Sequence, residues 1–214
     1  MTTTMANRAS DNHNVPTPDQ VRRGRRTALL LFAIGFGPMV FATIMFYTGW
    51  LNPTGHTNNG TLIQPVVPVQ TLNLETSAGQ PLADRFGPDQ AEPQWLLLVA
   101  AGDCGSECEE LLYLARQVNI ALGKNANRVD RAAVLGSVPA ELETRWRTDY
   151  GLMERLTPAP GSTPAWPQGI DPQTQPRILL VDPFGNLMMH YGAGITGKEL
   201  LKDLKHLLKI SQIG

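Results

Sequence analysis

The sequence is poor in cysteine and in histidine, and its charges almost cancel. Of its 214 residues only two are cysteines and four are histidines. A small exported fold held by disulfides carries several cysteine pairs, so two cysteines exclude a disulfide scaffold. Lys and Arg number 18 and Asp and Glu 19, which leaves a net charge of −1. This balance gives no reason to expect a nucleic-acid partner, and the length predicts about one domain with its own core.

Positive charge is missing from a long stretch of the first half. No Lys or Arg occurs between Arg26 and Arg85, and residues 27–50 carry no charge of either sign. This uncharged run is long enough to cross a bilayer as a helix. Tyr47 and Trp50 stand near its end, where interfacial aromatic residues belong. We therefore predict that residues 27–50 are a transmembrane anchor.

The arginines before the anchor predict its orientation. Four of them lie within residues 22–26, and the positive-inside rule then keeps the N-terminus in the cytoplasm and exports the following domain. A cleaved signal peptide would have a shorter apolar core and small residues at a cleavage site, which this run lacks. We expect residues 1–26 to be a basic cytoplasmic tail, residues 51–64 a tether and residues 65–214 the exported domain.

The two cysteines stand together where a predicted strand meets a predicted helix. The apolar run 95–101 predicts a central strand with both faces covered. A tight turn leads to Cys104 and Cys108, and the apolar positions of residues 108–122 predict an amphipathic helix. A helix N-terminus favours a thiolate. The pair therefore indicates redox or metal chemistry, with a single structural bridge as the alternative.

The spacing of Cys104 and Cys108 permits either chemistry. Residues four apart share one face of a helix, so the two sulfurs could form a bridge or hold Cu(I), a soft ion that prefers sulfur. Cys104 is nearest the turn, and we expect it to be the more exposed, more acidic thiol and the attacking residue. Negative neighbours disfavour a thiolate, which argues against a strong oxidant. These neighbours are Asp103, Glu107, Glu109 and Glu110.

The rest of the chain predicts the remaining elements of an α/β domain. Turn residues and apolar periodicity mark them, and a capping box opens the last helix. Residues 157–176 form a long loop with six prolines, which is either a functional lid or a surface insertion. The predicted elements are a hairpin over 66–82, a strand over 131–138, a helix over 139–150, paired strands over 177–181 and 186–191, and a helix opened by Thr196–Glu199.

In this order the elements resemble the thioredoxin superfamily, and within it the Sco/SenC group of membrane-anchored cytochrome c oxidase assembly proteins. The resemblance covers about residues 66–210. It rests on the anchor, the hairpin at 71–82, the pair Cys104 and Cys108, and the sequence from Leu180 to Gly185 before a C-terminal helix. The resemblance implies an α/β fold, a thioredoxin-like domain with a central mixed sheet flanked by helices, preceded by one transmembrane helix.

The family's copper site is only partly present. In that family the two cysteines bind copper or cycle between dithiol and disulfide, and a histidine before an Asp-Pro turn completes the metal site. The comparable residues 169–177 contain no histidine, and Glu109 stands where a proline often follows the second cysteine. His190, which the last hairpin returns toward the cysteine end of the sheet, is the candidate replacement ligand. The alternative is an ordinary, partly buried histidine on a strand.

Pro176 is a further candidate site residue. It stands just before a strand, where the thioredoxin-like oxidoreductases resemble one another in carrying a cis-proline beside the active-site sulfurs. A trans-proline at a strand edge is the alternative. The candidate catalytic residues are therefore Cys104, Cys108 and Pro176, and the candidate copper ligands are Cys104, Cys108 and His190.

The resemblance implies a protein of a bacterial inner membrane with its domain in the periplasm. Its expected task is thiol–disulfide exchange with, or Cu(I) delivery to, a cytochrome c oxidase subunit or another copper or thiol assembly factor. The alternative is a non-catalytic assembly scaffold with the same fold, whose cysteines form a structural disulfide. A peroxidase of the peroxiredoxin type is disfavoured, because the Thr-x-x-Cys arrangement that those enzymes share is absent before Cys104.

Overall fold

A computed structural model describes residues 18–48 and 58–211. The chain divides into two compact units, Met1–His56 and Thr57–Gly214. The predicted tail up to residue 17, the interfacial Trp50 and most of the predicted tether lie outside the described residues.

The first unit contains one long helix, α1, which spans Pro18–Thr48. Its most apolar window has a mean hydropathy of 2.2, and among the described residues it is the one helix long and apolar enough to cross a membrane. At about 1.5 Å per residue it exceeds a hydrocarbon core of about 30 Å. This length leaves room outside the core for the first turns, which carry the arginines. Residues 18–26, predicted as part of the tail, are thus helical.

The second unit is built on one mixed sheet. Its seven strands lie in the order β1-β7-β6-β3-β4-β5-β2. The pairs β3–β4 and β4–β5 are parallel and the other pairs are antiparallel. The strands are β1 (Thr61–Pro68), β2 (Leu74–Thr76), β3 (Trp95–Asp103), β4 (Val129–Ser137), β5 (Glu154–Pro158), β6 (Arg177–Val181) and β7 (Asn186–Tyr191). The helices are α2 (Ser106–Ala121), α3 (Ala140–Tyr150) and α4 (Gly197–Ile210).

The central strand β3 is apolar because both of its faces are covered. Leu97 and Val99 join a core cluster with residues of α2, α3 and α4, whereas Leu96 and Leu98 join a second cluster on the other face. The second face is covered by short 3-10 turns within residues 69–85 and by the loop that follows β5. The predicted α/β fold with a central mixed sheet is confirmed, and the α-helices described in this unit pack on one face.

The last helix begins where the sequence predicts. The Thr196 side chain accepts a hydrogen bond from the Glu199 backbone N–H at 3.3 Å, and the Glu199 carboxylate accepts one from the Thr196 N–H at 2.9 Å. Two amides that the first turn leaves unpaired are thereby satisfied. The hydrogen bond with Thr196 lowers the pKa of Glu199.

The N-terminal strands differ from the predicted hairpin over 66–82. β1 begins at Thr61, inside the predicted tether, and pairs with β7, while β2 pairs with β5 at the opposite edge of the sheet. Two prolines, Pro65 and Pro68, suit β1 to an edge, since an edge strand tolerates a missing N–H. What remains of the hairpin is the tight turn after β2, where the Thr76 N–H bonds to the Gln80 carbonyl at 2.9 Å.

A buried carboxylate ties the start of this unit to α4. Asp203 is 4% exposed. It accepts hydrogen bonds from the backbone amides of Asn59 at 2.8 Å and Gly60 at 2.9 Å, and from the Tyr191 hydroxyl at 3.3 Å. Burial, followed by the charge of Asp203, raises the pKa of Tyr191. The segment that enters β1 is therefore held by side chains more than 130 residues away, the Asn59–Asp203 separation being 144.

Candidate redox site

The two cysteines are joined in a disulfide at the junction of β3 and α2. β3 ends at Asp103 and α2 begins at Ser106, so Cys104 lies between them and Cys108 lies in the first turn of the helix. Their Cα atoms are 5.0 Å apart, an ordinary spacing for a bridge. This bridge stands at the carboxyl end of the central strand, next to a helix N-terminus.

Both sulfurs are buried. The side chains of Cys104 and Cys108 are 2% and 1% exposed, and both belong to the core cluster on the helix side of the sheet. The Cys104 backbone is held to β4 because its N–H bonds to the Ser137 carbonyl at 3.0 Å. The sequence predicts that Cys104 is the more exposed cysteine, and the structure leaves both cysteines almost fully buried. Exposure therefore does not identify the attacking cysteine.

A segment of the proline-rich loop lies against the strand end that carries the site. The Gly102 N–H donates to the Pro172 carbonyl at 2.8 Å. A Cβ on Gly102 would lie 2.9 Å from the Cα of Gln173. A Cβ on Gly136 would lie 2.5 Å from the carbonyl oxygen of Gly102. Real Cβ atoms do not approach backbone so closely. The two glycines let β3, β4 and the segment 171–176 meet beside Cys104.

Two of the four acidic residues near the cysteines have partners in the structure. Glu109 forms an ion pair with Arg145 of α3, and Asp103 accepts a hydrogen bond from the Ser137 hydroxyl. Glu107 and Glu110 are exposed, and solvent screens exposed charges. Carboxylates near a helix N-terminus also interact favourably with the positive end of the helix dipole. These four residues therefore disfavour a thiolate at the cysteines less than four unpaired, unscreened carboxylates would.

Pro176 lies at the same end of the sheet as the cysteines, with a trans peptide bond. It precedes β6, whose Arg177 is paired with Ala100 of β3. Among the described residues the cis peptide bond is Gln64–Pro65, in β1. Pro176 thus matches the trans alternative rather than the cis-proline of the thioredoxin-like oxidoreductases.

His190 lies level with the middle of β3, through Leu179 of β6 and Leu98 of β3, and on the face opposite the cysteines. Its strand neighbours Met189 and Tyr191 belong to the core cluster that contains the cysteines. Because side chains alternate along a strand, His190 points the other way. It lines a cavity of about 540 Å³ together with Trp166 and Ile170. The structure therefore does not bring His190 to the two sulfurs.

The described residues offer no third ligand beside the cysteines. They contain no group of three or more His, Cys, Asp or Glu side chains that could hold a metal ion. When reduced, the pair offers two sulfur ligands. Burial, followed by the positive charge of Arg177, lowers the pKa of His190.

Sequence reasoning missed the contacts that surround the pair. Ser137, Gln173 and Arg145 come from three different segments, and no local pattern links them to the cysteines. Gly102 and Gly136 carried a usable signal, since a glycine inside a strand often marks close approach by another backbone. The segment that approaches could not be identified from that signal.

Two family models match the chain. The model described as the transmembrane-like, thioredoxin-like, C-terminal domain matches residues 95–211, and the model described as the transmembrane-like, N-terminal domain matches residues 18–49. No curated protein matches the sequence significantly. The first model covers the cysteine pair and more than half of the chain.

Solved structures of similar fold include copper-bound Sco proteins and a thiol-disulfide oxidoreductase. ScoI of Bradyrhizobium japonicum with copper bound is 18% identical, with 70% of this chain and 99% of that chain covered and a TM-score of 0.42. Yeast Sco1 with copper bound is 15% identical, with 72% and 90% covered and a TM-score of 0.44. The thiol-disulfide oxidoreductase from Bacteroides fragilis is 19% identical, with 68% and 99% covered and a TM-score of 0.42.

Proposed function

This chain belongs to the family of the transmembrane-like, thioredoxin-like proteins, and we propose that it is a membrane-anchored thiol–disulfide exchange protein. Its exchanging pair is Cys104 and Cys108. The observation that carries the proposal is the disulfide between these two residues, at the carboxyl end of the central strand and in the first turn of α2. A helix N-terminus in this position favours a thiolate once the bridge is reduced.

The exchange proceeds through a mixed disulfide. In the reduced protein, one thiolate attacks a client disulfide and displaces one client thiolate, which takes up a proton. The second cysteine then attacks the mixed disulfide, re-forms the Cys104–Cys108 bridge and releases the client with two thiols. An external dithiol donor reduces the bridge again and is itself oxidised. The acidic residues around the pair favour this reducing direction over strong oxidation.

We place the domain outside the cytoplasm of a bacterial inner membrane, with α1 as the anchor. Support comes from the length and hydropathy of α1 and from the arginines in its first turns. The client we propose is a cytochrome c oxidase subunit with cysteines in its copper site, or another copper or thiol assembly factor. This choice of client rests on the sequence resemblance to the Sco/SenC group.

Cu(I) delivery is the narrower form of the same proposal. Copper would be cargo on the reduced cysteines, held by two sulfur atoms. Because His190 lies on the opposite face of the sheet, it adds no nitrogen ligand there. Anaerobic Cu(I) titration of the reduced full chain should therefore give binding that Cys104→Ser abolishes and His190→Gln leaves unchanged. If His190→Gln weakens the binding, this two-sulfur site is wrong.

The second candidate is a non-catalytic scaffold with a structural disulfide. Burial favours it, because side chains that are 2% and 1% exposed are out of reach of a client disulfide. Exchange therefore requires that part of the cover moves. We propose the segment 171–176 as the part that moves, since it is a loop hydrogen-bonded to Gly102, two residues before Cys104.

Reaction with oxidised glutathione separates the two candidates. The full chain is reduced in neutral detergent, and the products are followed by mass spectrometry. An exchange protein ends with its bridge re-formed and two reduced glutathiones released. Cys104→Ser and Cys108→Ser should each stop at one mixed disulfide, and the faster variant retains the attacking cysteine. Thiols that react only after denaturant is added would identify the scaffold.

A further inference from the structure

Three arginines line a pocket between α2 and α3. The pocket has a volume of about 580 Å³, and Arg116 of α2, Arg131 of β4 and Arg147 of α3 line it. None of the three forms an ion pair or a side-chain hydrogen bond with any residue that the structure describes. Three arginines thus line one concave site, and none of them has an ion-pair partner among the described residues.

Other arginines on the same face of the sheet are paired. Arg145 forms an ion pair with Glu109 and lies 3.9 Å from Asp149. Arg155 forms an ion pair with Glu143 at 2.6 Å and lies 5.0 Å above the Trp146 ring. Other arginines in this part of the fold therefore form ion pairs, whereas the three arginines of the pocket form none with the described residues.

Two of these charges, on Arg116 and Arg131, are close enough to repel each other. Arg131 is partly buried, and burial lowers its pKa; Asp130 acts in the opposite direction, and the positive charge of Arg116 lowers the pKa further. Among the described residues that line the pocket, Asp149 is the one carboxylate, and Arg145 already faces it. An anion in the pocket would relieve this repulsion.

We propose that this pocket binds a phosphate-bearing ligand through Arg116, Arg131 and Arg147. Each guanidinium group is a planar fork of donors that matches two phosphate oxygens, and a phosphate carries more acceptors and more charge than a carboxylate. The volume lies in the range of small-molecule sites. Ile120 and Leu152, both exposed, line the same pocket and suit an apolar portion of such a ligand.

This site is separate from the cysteine pair. Cys108 and Arg116 lie eight residues apart on α2, which is about 12 Å along the helix axis. The phosphate site therefore does not depend on the exchange function, and variants in it leave both cysteines in place.

Titration with inorganic phosphate tests the site. The full chain in neutral detergent is titrated calorimetrically, and we expect saturable binding that Arg116→Gln, Arg131→Gln or Arg147→Gln each weakens about tenfold or more. Arg155→Gln is the matched control, since Arg155 is paired and lies outside the pocket, and it should bind phosphate as the wild type does. Arg147 is exposed, so its substitution should keep the fold, which circular dichroism checks.

Three results would overturn the proposal. The first is that the wild type does not bind phosphate. The second is that Arg155→Gln weakens phosphate binding as much as the pocket variants do. The third is that acetate binds as tightly as phosphate. If the chain binds an acidic peptide but not phosphate, the proposal is also wrong, and the pocket binds a protein partner instead.

A second arm identifies the source of the phosphate group. The full chain is placed in nanodiscs of phosphatidylcholine, with or without phosphatidylglycerol, and the titration is repeated. If phosphatidylglycerol weakens the binding of added phosphate, the occupant is a lipid headgroup. If it has no effect, the occupant is a soluble phosphate compound.

Discussion

Gly102 determines how closely the segment 171–176 can approach the end of β3. A Cβ at this position would lie 2.6 Å from the Gln173 side-chain oxygen and 2.9 Å from its Cα. The side chain can rotate away, but the backbone can move only if the whole segment shifts. This one position therefore controls how closely the segment lies to the strand end that leads to the cysteine pair.

Gly102→Ala should displace the segment 171–176 from this strand end. We expect the free energy of unfolding to fall by about 1–3 kcal/mol, the usual effect of overpacking, and dithiothreitol to reduce the disulfide faster. Urea unfolding and the reduction rate measure the two effects. The matched control is Gly105→Ala, where an added Cβ would meet no described atom within 4 Å. Equal reduction rates in the two variants would show that the segment 171–176 does not limit access.

His190 should make stability depend on pH. Its pKa is lowered in the folded protein by burial and by Arg177, whereas in the unfolded chain it takes up a proton near pH 6.5. Its contribution to the free energy of unfolding is then fully present above about pH 6.5 and is lost as the pH falls toward the folded pKa.

Urea unfolding between pH 7 and pH 5 checks this dependence. The wild type should lose stability more steeply than His190→Gln, and His206→Gln, an exposed position on α4, should behave as the wild type does. If the wild type and His190→Gln lose stability in parallel, His190 does not contribute this pH dependence.

The link between the entry to β1 and α4 depends on one carboxylate. Asp203 holds two backbone amides and the Tyr191 hydroxyl, and removal of a buried acceptor leaves such donors without a partner. Asp203→Ala should therefore lower the free energy of unfolding by about 2 kcal/mol or more, measured in urea. Lys205→Ala, an exposed change on the same helix, is the control. Equal stability of the two variants would mean that solvent replaces these hydrogen bonds.

Elements with a strong local pattern could be predicted from the sequence. The apolar run of β3, the periodic positions of α2, the last hairpin and the Thr196–Glu199 capping box all appear in the structure close to the predicted positions. Each depends on contacts within a few residues or on continuous burial, and both leave a mark in the sequence.

Features set by distant segments could not be predicted. β1 is a strand because β7 pairs with it, and the burial of Cys104 depends on β4 and the core. The last hairpin runs toward the cysteine end of the sheet, but His190 lies only level with Leu98 of β3, and its face depends on the register between β6 and β7, where an irregularity follows Leu180. A one-residue change in register moves a side chain to the other face.

The two units of the chain have separate tasks in the function that we propose. α1 holds the protein at a membrane, and the thioredoxin-like domain presents a pair of sulfurs to a client. The domain carries a bridge that is buried in its own core, so the fold is compatible both with a gated exchange site and with a permanent cross-link. The two differ in how readily the bridge is reduced.

The reduction potential of the Cys104–Cys108 pair measures that difference. The full chain in neutral detergent is equilibrated with dithiothreitol buffers of graded ratio, and the reduced fraction is read from the mass added by alkylation. We predict a potential between about −270 and −120 mV, the range of known exchange proteins, and toward its reducing end because of the acidic neighbours. A potential below about −300 mV, as in structural disulfides, is incompatible with exchange and would leave the scaffold.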